Sequence, residues 1–130
     1  MGTRAVVIDT RVDGRGFWVR HDGYPAGLGV ELNKVFSANK TMEQVYAELI
    51  NFRIEHYLKK YGSVPEMDGD FFPLTPEQVN ACKHSGSRAL WSRFGIDSAY
   101  IYRLKHDGVY VIGGDIPRSR KVRETETDRG

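Results

Sequence analysis

The residues of this chain best suited to chemistry stand side by side in Arg20-His21-Asp22-Gly23-Tyr24, directly after the strand-like run Gly16-Phe17-Trp18-Val19. Histidine titrates near neutrality and a carboxylate can fix its tautomer, so His21 and Asp22 could form an acid–base pair. Asp22 could alternatively ligate a metal, with Arg20 or Tyr24 holding a phosphorylated or nucleotide substrate. Adjacent residues on a strand point to opposite faces, however, and can bond one another only where a turn begins. Asp-Gly also occurs at Asp13, Asp68 and Asp107. A second reading is therefore open, in which Asp22-Gly23 makes a strand-to-helix corner, Gly23 supplies a positive φ, and His21 is a half-buried neighbour.

Elsewhere the side chains point to binding more than to catalysis. Cys82 and His84 would diverge by about 200° on a helix, so they cannot share a metal, and no second pair stands at zinc-site spacing. Cys82 reads either as a small core residue or as a thiol nucleophile awaiting a distant histidine. Arg88, Trp91, Arg93 and Phe94, together with Trp18, Arg20 and Arg103, interleave basic and aromatic side chains as sites for single strands or nucleotides do. Trp91 and Phe94 could equally be core, with the arginines solvated. No Gly-rich phosphate loop is present, so phosphate would fall to arginines, and neither a metal nor a cofactor is expected. The candidate partner-binding residues are Trp18, Arg20, His21, Tyr24 and Arg103; the candidate catalytic pair is His21 and Asp22.

The elements that must position these residues follow from spacing and punctuation. Thr3 to Asp9 is β-branched and leads through Asp13-Gly14 into Phe17 to Arg20, a hairpin pattern. Leu28, Leu32, Val35 and Phe36 recur at helical spacing and predict a short helix from about Gly27 to Phe36. Thr41 and Gln44 form a capping box. After them Met42, Val45, Tyr46, Leu49, Ile50, Ile54, Tyr57, Leu58 and Tyr61 make one apolar stripe, closed by Gly62. Ser63 to Leu74 reads as a long loop pinned by Phe71 and Phe72. Thr75-Pro76-Glu77-Gln78 starts a helix to about His84, and a second runs from Ser87 to Gly95. Ala99 to Lys105 and Val109 to Ile112 flank an Asp-Gly turn and predict a second hairpin.

Strands at both ends with helices between them predict an α+β domain of two layers: about four antiparallel strands with helices packed on one face. Residues 1–114 would form this single domain, and 115–130 a charged, flexible tail whose basic half, Pro117 to Arg123, could dock on an acidic protein or a phosphate backbone. Any sheet face left uncovered by helices would carry aromatics that need burial or a partner.

Composition bounds the functions. The chain has 130 residues, near the modal size of one domain, and a formal charge of +2, which permits a nucleic-acid partner without requiring one. A single cysteine excludes an internal disulfide and suits a reducing compartment. No apolar run approaches the ~18 residues of a membrane span, and the start lacks a signal-peptide pattern, so no membrane association and a cytoplasmic location are expected.

Met1-Gly2-Thr3-Arg4, the hairpin, Asp22-Gly23-Tyr24-Pro25 and Gly27-Leu28-Gly29-Val30-Glu31-Leu32 resemble a family of small phage and mobile-element accessory proteins without an assigned activity. That family opens with Met-Gly-Thr-Arg and carries His-x-Asp-Gly-Tyr-Pro before a glycine-flanked helix. The likeness covers about the first 36 residues and, more faintly, the terminal hairpin. Here His21 abuts Asp22, so the family's histidine position falls on Arg20 or one residue is missing. The resemblance implies a non-enzymatic modulator or inhibitor of a host defence system, acting in the host cytoplasm on a host protein, a nucleic acid or a nucleotide. The alternatives are a small enzyme using His21 and Asp22, and a homodimeric structural protein.

Overall fold

The computed structural model describes residues 3–63, 71–84, 87–95 and 98–126. Most of the expected loop after Ser63, the end of the tail, and the side chains of Phe71, Phe72, His84 and Arg88 lie outside the described part.

Ala5-Val6-Val7-Ile8 shows no polar alternation, and such a strand is stable only when both of its faces are covered. β1 (Ala5–Asp9) is accordingly central, with all five residues buried. It pairs antiparallel with β2 (Gly16–Val19) and parallel with β4 (Tyr100–Lys105). β3 (Phe71–Pro73) lies outside β2, while β5 (Gly108–Gly113) and β6 (Ile116–Lys121) continue beyond β4. The order is β3-β2-β1-β4-β5-β6.

A π-helical turn over Pro25–Gly29 runs into α1 (Val30–Val35), and α2 (Met42–Tyr61) follows. Together they cover the face that carries Ala5, Val7, Phe17, Val19, Tyr102 and Leu104. α3 (Pro76–His84) lies on the opposite face, where Val79 and Cys82 pack on Val6, Ile8 and Ile101; α4 (Ser87–Phe94) adds Phe94 to that second core.

The α+β class stands, with differences in detail. The sheet has six strands and is mixed, because the helices between β2 and β4 provide the long crossover that a parallel pair requires. Helices occupy both faces rather than one, as the unbroken apolar run of β1 demands. Residues 116–121, expected in a tail beyond residue 114, are instead the edge strand β6. Ile116 and Val122 are buried on the main core, and the Val122 N–H donates to the Val109 carbonyl at 2.8 Å. Arg120 then clasps Glu126 at 2.8 and 2.9 Å.

Local signals hold closely. Thr41 and Gln44 exchange both bonds of a capping box, and Thr75 and Gln78 repeat it. Gly62 closes α2 at φ 73°, a left-handed conformation that suits glycine.

Candidate functional site

The corner after β2 is built around a residue that the apolar stripe of α2 conceals. Arg53 lies four residues after Leu49 and four before Tyr57, in phase with the buried side of the helix, and is 1% exposed. A guanidinium buried so deeply is tolerable only with its donors satisfied. Nε and Nη2 donate to Glu31 Oε1 at 2.9 and 2.7 Å, Nη1 to the His21 carbonyl at 2.8 Å, and Nη2 also to the Asp22 carbonyl at 3.2 Å. Arg53 thereby ties α2, α1 and the corner together.

Other bonds tighten the same point. Tyr102 of β4 donates its hydroxyl to the Gly23 carbonyl at 2.6 Å, the Gly23 N–H donates to the Thr3 carbonyl at 2.8 Å, and the Leu28 N–H donates to the Asp22 carbonyl at 2.8 Å. Burial holds the Tyr102 phenol well above its usual range, so it remains a donor. Burial also raises the Glu31 carboxyl, outweighing the Arg53 guanidinium beside it. The positive φ falls on Asp22, at 54°, and not on Gly23. Gly23 is required for space: a Cβ there would stand 2.8 Å from the Ala5 Cβ and 2.9 Å from the Thr3 carbonyl oxygen.

This corner is a structural lock. His21 is exposed, the Tyr57 hydroxyl reaches Asp22 Oδ2 at 3.5 Å, and no hydrogen bond among the described residues joins the His21 and Asp22 side chains. The other candidates spread over both sides of the sheet. Tyr24 packs, half-buried, on the main core. Trp18 packs on the second core, and Arg20 is half-buried two residues further on. Arg103 donates to the Cys82 carbonyl at 3.2 and 2.8 Å and so fastens α3 to β4. Cys82 is fully buried, and burial pushes its thiol up to about 11 despite nearby Arg103, which removes the thiolate a nucleophile needs.

A basic and aromatic group does assemble, on the terminal hairpin rather than at the corner. Along β5 the second core reaches Ile112 and stops; Tyr110, two residues earlier on the same face, belongs to neither core and is half-exposed. Lys105 Nζ lies 4.4 Å from the centre of the Tyr110 ring, and Lys121 stands opposite Tyr110 in register. The Lys121 chain runs over Gly108 so closely that a Cβ there would come within 2.6 Å of its Cε. The Tyr110 hydroxyl donates to Asp107 Oδ2 at 2.7 Å. This bond is the main cause that lowers the Asp107 carboxyl below its usual range and raises the phenol, so the ring is anchored and neutral. On α4, Trp91 is exposed, and Arg93 lies 5.2 Å over the ring of Phe94. Sequence spacing could not single out this group, because Lys121 joins it from a strand that was expected to be tail.

Clefts open near the β1–β2 turn. One, of about 340 Å³, is lined mainly by Phe17, Met42, Tyr46, Pro73 and Leu74; its neighbour, of about 510 Å³, is lined by Asp9, Arg11, Lys40 and His106 among others. Their charges are paired with one another: Arg11 grips buried Asp9 at 2.9 and 3.0 Å, Arg15 meets Glu43 at 2.9 Å, and Lys40 meets Glu48 at 2.9 Å. Among the described residues no group of three or more His, Cys, Asp and Glu side chains is placed to hold a metal, and no helix is long and apolar enough to cross a membrane.

Comparison with protein families, with curated proteins and with solved structures found no match to this chain.

Proposed function

We propose that this protein works by binding rather than by catalysis, as a phage or mobile-element accessory protein that modulates a host system by engaging a negatively charged component. The observation that carries this reading is the sheet face shared by Lys105, Tyr110 and Lys121. Cations around an anchored aromatic attract an anionic partner and give it a surface to rest on. The setting comes from the resemblance of the first 36 residues. The enzymatic alternative requires the His21 and Asp22 side chains to converge, and no hydrogen bond among the described residues joins them.

Retention on immobilised heparin tests the reading. The double reversal Lys105→Glu/Lys121→Glu should elute at clearly lower salt than the wild type, and lower than the charge-matched control Lys59→Glu/Lys60→Glu at the exposed end of α2. Equal elution of the two variants, or a wild type that is not retained, overturns it.

A further inference from the structure

We infer that the occupant of the Tyr110 face is a single-stranded nucleic acid, whose bases stack on Tyr110 while Lys105 and Lys121 meet its phosphates. This rests on the anion-binding reading above and names its partner class. Three observations combine. First, the face is a sheet surface: β4 and β6 flank β5 at about 4.8 Å each, so the two lysine-bearing strands bracket the tyrosine from both sides. Second, the ring is held in place from its far end by Asp107, and Lys105 Nζ lies 4.4 Å from its centre. An exposed lysine contact of that kind is weaker than a base–aromatic stack and can be displaced by one. Third, the face is cationic across β5: Lys121 stands opposite Tyr110 in register and its chain runs over Gly108.

The aromatic decides between anionic partners. A duplex keeps its bases stacked on each other and so offers no free base to the Tyr110 ring. An acidic peptide would satisfy the lysines and leave the ring without a role. Only a strand with splayed bases uses both features.

Fluorescence anisotropy with labelled oligothymidylate and oligouridylate at low salt tests the proposal, the two arms separating DNA from RNA. The full-length protein should bind at least one of them more tightly than a duplex of the same length. Tyr110→Ala should weaken binding by about tenfold, the loss of one base stack. Lys105→Ala/Lys121→Ala should weaken it too and flatten the plot of log affinity against log salt by about 0.7 for each phosphate that is no longer neutralised. Because Tyr110→Ala removes a half-buried ring, Tyr110→Phe serves as a second variant that keeps the stacking surface and should bind within a factor of about two. No binding to either single strand while heparin retention persists overturns this proposal and leaves an acidic protein as the partner; loss of heparin retention as well removes both. Binding unchanged in Tyr110→Ala overturns the stacking role.

Discussion

The two ends of this molecule that concentrate polar and aromatic side chains use them in opposite ways. At the corner around Arg53, five hydrogen bonds from Arg53 and Tyr102 end on Glu31 or on the carbonyls of His21, Asp22 and Gly23, all within the chain. Around Tyr110 the cations are half-buried or exposed, the ring meets Lys105, and the hydroxyl donates to a neighbouring turn residue. Charge turned inward specifies a fold, because breaking one partner strands the others in a low dielectric. Charge turned outward costs little to hold and is available to something else. The richer motif in the sequence thus goes into holding the fold, and the plainer hairpin carries the surface proposed to bind.

That contrast is most exposed to failure at Arg53. Arg53→Met should cost about 3–5 kcal/mol in urea denaturation, since Glu31 and two carbonyls are deprived of their donor at once. A loss under about 1 kcal/mol would mean that the corner is not a lock. Glu31→Gln should cost less than half as much at neutral pH, because burial already opposes its charge. Its sign with pH is defined: the folded-state value is raised, so the stabilisation from the protonated carboxyl is complete below the ordinary value of 4.5 and is lost as pH rises through the raised one. The wild type should therefore gain stability relative to Glu31→Gln as pH falls from neutral toward 4.5. A difference that shrinks on acidification would show that Arg53 dominates the carboxyl.

What was legible in the sequence follows the range of the interactions. Thr41 with Gln44 and Thr75 with Gln78 are three residues apart, so their caps could be read directly, as could both hairpins. Arg53 and Glu31 are 22 residues apart and meet only after α1 folds onto α2. The one available signal was phase: Arg53 falls on the line from Leu49 to Tyr57, whereas Leu58 and Tyr61, counted with the stripe, are 49% and 63% exposed. β6 was hidden because its charged residues outnumber its apolar ones, although Ile116 and Val122 share one parity and so one face. The parallel partner and the two-sided cover of β1 were written in Ala5 to Ile8, a run without alternation. Which strands of the second face α3 and α4 leave open depends on how far those helices reach, and no local pattern encodes that.

The smallest expected effect is the one that separates the two regions most cleanly. Tyr110→Phe removes the hydroxyl that is the principal cause of the lowered Asp107 carboxyl, while Lys121 and Lys105 continue to lower it. Followed by NMR titration, Asp107 should move upward toward its ordinary value of 3.8. A carboxyl held low in the folded state contributes stability that is present above its unfolded value and lost as pH falls through the folded one. The acid limb of the stability curve should therefore be slightly flatter in the variant, with the urea midpoint at neutral pH slightly lower. Tyr102→Phe makes the same atomic change at the corner, yet leaves the buried Gly23 carbonyl without its donor and should cost about 1–3 kcal/mol. If the two substitutions destabilise equally, the Tyr110 ring is part of the core and the open face does not exist as a separate surface.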